Sequence, residues 1–158
     1  MTLMTTSKQG RSLIKEFEGL RLTAYRCPAG IPTIGWGHTK GVQMGQRITE
    51  AQAEQMLTED IAPAERILNA LGINFRQEQF DALVSWLFNL GQGNFMHSTL
   101  LVRIKAGARD EEVTDHMVKW VNSGGRPLAG LMKRRAMEAN MFLGRERYKV
   151  NNNKIVKI

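Results

Sequence analysis

The spacing of apolar residues changes period once near the start of the chain, and that change divides the sequence. Leu13, Ile14 and Phe17 recur at helical spacing and stop at Gly19, which predicts a helix over 7–18 with Ser7 as its N-cap. From Leu20 the period falls to two. Leu20, Leu22 and Ala24 alternate with Arg21, Thr23 and Tyr25, as in a strand. Cys27-Pro-Ala-Gly-Ile-Pro32 is a strong turn signal. Residues 33–38 read as a second strand, whose glycines let another backbone or a ligand come close. A third strand is predicted over 41–44.

Beyond residue 48 the pattern is helical throughout. Thr49 and Gln52 form a capping box. Ala53, Met56, Leu57 and Ile61, then Ile67, Leu68 and Leu71, carry the apolar face to Gly72, with Pro63 as a kink or break. A helix of that length can connect two lobes. Asn74 caps the next predicted helix, 75–90, with Phe80, Leu83, Val84 and Leu87 facing a core and Gly91 as its stop; 91–94 read as a turn. A short helix follows over 97–107. Asp110, Glu111 and Glu112 then open a helix through Trp120, their charges favoured by the helix macrodipole. Residues 122–127 read as a loop and 128–143 as the last helix. The basic tail, 145–158, is expected to be mobile or loosely docked. A helical body with a small antiparallel sheet near its front is an α+β protein.

Composition narrows the class. The 158 residues suit one domain able to bury about 70% of its unfolded surface, and 42% apolar with 23% charged residues is ordinary for a globular chain. No apolar run approaches the roughly 20 residues a bilayer requires, and the first residues lack the apolar segment of a secretory signal. The single cysteine forbids an internal disulfide and agrees with a reducing compartment. The net charge of +7 suits an anionic partner, or solubility alone. Its cations are dispersed, with Lys133-Arg134-Arg135 the one cluster. With no zinc spacing, phosphate-binding loop or nucleic-acid motif, no metal, cofactor or nucleic-acid partner is expected.

Candidate chemistry gathers where the period changes. Glu18 stands in the last turn of the first helix, where the macrodipole disfavours added negative charge and should raise a carboxyl pKa. A carboxylic acid that keeps its proton near neutral pH suits a general acid. A solvated glutamate at a helix end is the plain alternative. Glu18, eight residues, Cys27, five residues, Thr33 resembles the catalytic triad of the phage-type lysozymes, or endolysins, written Glu-x8-Asp/Cys-x5-Thr. Gly19, Arg21, Tyr25, Gly30 and the run Thr33-Ile34-Gly35-x-Gly37-His38 agree with it. Three later blocks resemble the same family in order: Ile48-Thr49 with Ala53-Glu54, Phe88-Asn89-Leu90-Gly91 with Phe95 and Ser98 to Leu101, and Gly130-Leu131 with Arg134-Arg135 and Glu138.

The resemblance implies a lysozyme-like fold, with a sheet lobe over about 19–60, a helical lobe over about 1–18 and 61–144, and a cleft between them. It implies an enzyme that hydrolyses the β-1,4 bond between N-acetylmuramic acid and N-acetylglucosamine in bacterial peptidoglycan and so lyses the host cell. Such hydrolysis needs a proton for the leaving oxygen and an activated water or nucleophile on the other face. Glu18 suits the first task. Cys27 stands where the family often has aspartate, and a thiol with a pKa of about 8.5 is a poor base unless that value is lowered, for which Arg26 is a candidate. The Thr33 hydroxyl can hold a water. The resemblance suggests inversion at the anomeric carbon.

Phe88 and Ser98 match positions that line the sugar cleft in the family, although Phe88 fits core packing equally well. His38 is expected to pair with Asp60 and stabilise a lobe, and either Arg134 or Arg135 to reach Glu18. Trp36, Trp86 and Trp120 read as core or cleft-wall aromatics. A monomer is expected, with peptidoglycan and an anionic wall or membrane surface as partners. Without a signal or anchor, the protein should wait in the host cytoplasm until the membrane is breached. Two alternatives compete: a lytic transglycosylase, in which one glutamate performs both proton steps, and a non-catalytic cationic module binding cell wall or nucleic acid.

Overall fold

The computed structural model describes residues 2–158. Among these residues, six helices and three two-stranded antiparallel sheets follow one another as α1 (Lys8–Glu18), β1 (Arg21–Arg26), β2 (Pro32–Gly35), α2 (Glu50–Ala70), α3 (Gln77–Met96), α4 (Thr99–Lys105), α5 (Asp110–Met117), β3 (Asn122–Ser123), β4 (Arg126–Pro127), α6 (Ala129–Leu143), β5 (Tyr148–Asn151) and β6 (Lys154–Lys157). This is the α+β class that the two apolar periods imply. The chain divides into two compact units, Ser12–Pro63 and a second built from residues 2–11 with Ala64–Ile158.

In the unit Ser12–Pro63, α1 ends on Gly19 in the left-handed region (φ 69°), whose N–H bonds to Lys15 O at 2.9 Å. β1 and β2 pair with Tyr25 opposite Thr33 and Arg26 opposite Pro32, and the register slips between Arg21 and Tyr25. That irregularity spoils the simple alternation: Ala24 is buried while Leu22 faces solvent. The third strand expected over 41–44 does not form. Gly41 and Gly45 take positive φ and bend that segment, and the extra pairing comes later, with Thr23 bridged to Arg47 and Ala24 N–H bonded to Gln46 O at 2.9 Å. The capping box is present: Thr49 N–H donates to Gln52 Oε1 (2.8 Å) and Gln52 N–H to Thr49 Oγ1 (3.1 Å). α2 runs on through Pro63, and the boundary between the units falls immediately after that residue.

The second unit begins with residues that clasp α3. Ser7 accepts from Gly10 N–H at the start of α1 and also bonds to the buried Asp81 carboxylate through its amide (2.9 Å) and its hydroxyl. α3 starts after Arg76, not Asn74; the Arg76 amide donates to Gln79 Oε1 at 2.9 Å. Gly91 breaks its helical geometry (φ 88°, ψ 164°) as expected, but 92–96 resume as helix instead of forming a turn. α5 ends at Met117, so Trp120 lies beyond it and meets Trp86 edge-on at 5.4 Å. Trp86 is fully buried, meets Phe95 edge-on at 5.9 Å, and its indole N–H donates to Met117 O (3.2 Å).

Two further expectations for this unit fail, both through turn chemistry. The segment 122–127 is a small hairpin, because Gly124 and Gly125 both take positive φ. The tail is also a hairpin. Asn152 and Asn153 occupy the left-handed region (φ 52° and 58°) and join β5 to β6, with Val150 opposite Ile155. Tyr148 docks it with a 2% exposed side chain packed against Ala136 and Ala139 of α6, and its hydroxyl is shared with Thr114 (2.7 Å) and Asp115 (2.6 Å).

Candidate functional site

Glu18, Cys27 and Thr33 all fall within the unit Ser12–Pro63. Glu18 is the last residue of α1 and is half-buried. Its carboxyl group lies against Gly37, in the turn that follows β2. A methyl group on Gly37 would stand 2.6 Å from Glu18 Oε1 and 3.4 Å from its carboxyl carbon. Gly37 also has φ +78°, so the backbone conformation and the close approach both call for glycine here.

Cys27 and Thr33 are brought together by the turn between β1 and β2. Cys27 N–H bonds to Ile31 O (3.0 Å), Gly30 N–H bonds to Cys27 O (2.7 Å), and the half-buried thiol lies near the Ile31 amide and the Thr33 hydroxyl. The Ile31 amide is the main cause that holds the thiol pKa below its ordinary value. Desolvation opposes it, and the Ala29 amide adds to the lowering. Arg26, the expected cause, turns its guanidinium to Gly30 O at 3.1 Å and so braces the turn. Thr33 is buried; its Oγ1 donates to Ile31 O at 2.8 Å, which leaves the oxygen's lone pairs as acceptors.

The neighbouring residues stiffen this turn. Ile34 and His38 exchange backbone hydrogen bonds of 2.9 and 2.8 Å across Gly35-Trp36-Gly37. The His38 ring is buried, with Nδ1 2.8 Å from Asp60 Oδ2 and Nε2 2.9 Å from Lys40 O, so the expected His38–Asp60 pair forms. Lys15 sits over the Trp36 ring at 4.3 Å and pairs with Glu54.

The other candidates lie in the second unit. Phe88 is half-buried on α3, three residues before the break at Gly91. The Ser98 hydroxyl caps α4, donating to Phe95 O (2.7 Å) and accepting from Leu101 N–H (3.0 Å), and it is buried. Arg134 and Arg135 both bind one buried carboxylate, Glu138. Arg134 Nε lies 3.1 Å from Oε2 and Arg135 Nε 2.8 Å from Oε1. Ser85 Oγ donates to the same carboxylate at 2.5 Å, and Arg135 Nη2 donates to Asn89 at 2.6 Å. Burial pulls the Arg135 pKa down, against the attraction of Glu138. The spacings Arg134–Glu138 and Arg135–Glu138 could have revealed this cluster; Ser85 carried no sequence signal at all. Among the described residues, no group of three or more His, Cys, Asp or Glu is placed to hold a metal ion.

Comparison with known proteins bears on the arrangement as a whole. The family described as phage lysozyme matches residues 15–138. An endolysin of Acyrthosiphon pisum secondary endosymbiont phage 1 is 43% identical over 144 residues, which are 88% of this chain and 98% of that protein. The muramidase domain of SpmX from Asticaccaulis excentricus superposes with a TM-score of 0.80 at 40% identity, over 88% of this chain and 97% of that one. The active form of the P1 phage endolysin Lyz gives a TM-score of 0.82 at 32% identity, over 88% and 85%.

Proposed function

The chain belongs to the phage lysozyme family, and on that footing we propose that it is an endolysin whose catalytic centre is Glu18, Cys27 and Thr33. It is a glycoside hydrolase that cleaves the β-1,4 bond between N-acetylmuramic acid and N-acetylglucosamine in bacterial peptidoglycan. Glu18 delivers a proton to the leaving oxygen. Thr33, its own proton committed to Ile31 O, accepts a hydrogen bond from the attacking water. Cys27 takes that water's proton, a step made easier by the amides that lower its pKa. The observation that carries this assignment is the turn over 27–33, which holds a thiol of lowered pKa beside a hydroxyl with free lone pairs. Phe88 contributes an apolar contact to the sugar, and Ser98 serves by fixing the backbone between Phe95 and Leu101.

The anionic partner is the wall or membrane surface, met by the C-terminal hairpin. A groove of about 430 Å³ there is lined by Val121, Met132 and Ile155 together with Lys119, Lys154 and Lys157. The enzyme acts as a monomer, and it waits in the host cytoplasm until the membrane is permeabilised. No helix among the described residues is long and apolar enough to cross a membrane.

Clearing of purified peptidoglycan by wild type, Glu18→Gln, Cys27→Ser, Cys27→Asp and Thr33→Ala tests the assignment. Cys27→Asp should keep activity, while Cys27→Ser and Thr33→Ala lose part of it. Mass spectrometry of the products should show reducing muramic ends. Anhydro-muramic ends would make the enzyme a transglycosylase, and lysis undiminished in Glu18→Gln would leave only a binding module.

A further inference from the structure

The groove of about 430 Å³ beside the C-terminal hairpin has walls of two kinds. Val118, Val121, Met132 and Ile155 make it apolar, and Lys119 and Lys154 add cationic groups. A third lysine, Lys157, is occupied by Asp115 at 3.1 Å, but neither Lys119 nor Lys154 makes an ion pair among the described residues. Apolar surface continues outside the groove. Leu128, whose amide bonds to Val121 O at 2.9 Å, is 45% exposed, and Ile158, next to Lys157, is 68% exposed. Residues 145–158 hold five lysines and arginines against one acid, Glu146.

This combination selects among anions. Peptidoglycan is a hydrated polymer of sugars and short peptides, and hydrocarbon walls offer it little. An anionic phospholipid supplies both halves, a hydrocarbon chain for the walls and a phosphate for the ammonium groups. The volume lies within the roughly 300–1,000 Å³ of small-molecule sites, which are mostly apolar with a few polar groups that fix orientation.

We propose that this groove binds an anionic phospholipid, with one acyl chain against Val118, Val121, Met132 and Ile155 and the headgroup phosphate at Lys119 and Lys154. This rests on the hairpin as the contact for an anionic surface, and it names the membrane, not the wall, as that surface. Binding there keeps the enzyme on the inner leaflet, whose anionic lipids attract basic segments, until the membrane is permeabilised.

Vesicle binding by the whole chain tests the proposal. The protein should bind vesicles of mixed phosphatidylcholine and phosphatidylglycerol, and bind phosphatidylcholine alone far more weakly. Lys119→Ala and Lys154→Ala together should weaken binding to the mixed vesicles about 30-fold, the loss expected for two lysines at an anionic surface. Lys149→Ala removes a like charge from β5 without touching the groove, and should change binding far less. Val121→Ser keeps every charge and should cost about tenfold. Equal binding to both kinds of vesicle, an equal loss per lysine in Lys149→Ala, or unchanged binding in Val121→Ser would each overturn the inference.

If a variant does not fold, the wild type carries the test by NMR. Lyso-phosphatidylglycerol should shift the Met132 methyl resonance, while glycerophosphoglycerol, the same headgroup without a chain, should not. No shift with the lysolipid, or the same shift with both, overturns the inference. Clearing of purified peptidoglycan should be unchanged in all these variants. A wild type that clears no wall would refute the endolysin reading and leave lipid binding standing. Lysine-dependent sedimentation with purified wall, and none with mixed vesicles, would assign the hairpin to the wall and overturn the inference.

Discussion

The two units are held together by different physics. In Ser12–Pro63 the structure around the proposed catalytic groups is maintained by backbone: a bulged hairpin, a turn whose amides surround a thiol, and glycines at positive φ at 19, 30, 35 and 37. In the unit that contains Ala64–Ile158, burial dominates: Trp86, Phe80, Phe95 and Leu100 are enclosed, and Arg134, Arg135 and Glu138 form a buried charge cluster. A backbone-held site fixes atoms without needing large side chains. A burial-held core supplies stability and tolerates little polarity without partners. The contrast teaches that substitutions in the first unit should register chiefly in rate, and those in the second chiefly in stability.

The sharpest way to break that contrast is Glu18→Gln. Wall clearing should fall by about 10²- to 10⁴-fold, while wall binding and melting temperature stay near wild type; a large loss of stability instead would erase the distinction. Glu138→Gln probes the other side. It leaves two buried guanidiniums, Arg134 and Arg135, without their carboxylate, and should cost about 3–5 kcal/mol in thermal or urea unfolding. Activity per folded molecule, measured well below the transition, should fall far less than in Glu18→Gln.

Tyr148→Phe is a smaller test of the same unit. It strips the hydroxyl that Thr114 and Asp115 share, for about 1–3 kcal/mol in urea unfolding. A fully mobile tail would show no change. The smallest effect is on pH. Burial works to raise the Asp115 pKa, but the Tyr148 hydroxyl and the Lys157 ammonium outweigh it and hold the carboxyl below its usual value. Its support for the hairpin is therefore complete above the unfolded carboxylate's pKa of about 3.9 and is lost as pH falls through the lower folded value. Amide exchange in β5 and β6 should accelerate below about pH 4, and Asp115→Asn should remove that dependence.

What the sequence determined by itself was local. Helical starts and stops at Ser7, Gly19 and Thr49 were legible because a cap is a matter of three or four neighbouring residues. So was the turn that joins Cys27 to Thr33, since two prolines and a glycine leave the backbone few alternatives. The His38–Asp60 pair could be anticipated from a motif position and a helix. The tail was misread because composition, basic and polar, outweighed the Asn152-Asn153 turn, and because docking through Tyr148 depends on residues 114, 115, 136 and 139.

Tertiary structure alone decided the rest. Only folding could show that amides, and not Arg26, lower the Cys27 pKa, since peptide N–H groups are present in every sequence and act only where the chain aims them. The same holds for Gly37. Its letter signals backbone freedom, but the carboxyl packed against it comes from a residue nineteen positions earlier. Ser85, Arg134, Arg135 and Glu138 were ordinary helix residues until α3 and α6 enclosed them. Short-range rules write themselves into neighbouring residues, whereas close approach and desolvation exist only once distant parts of the chain have met.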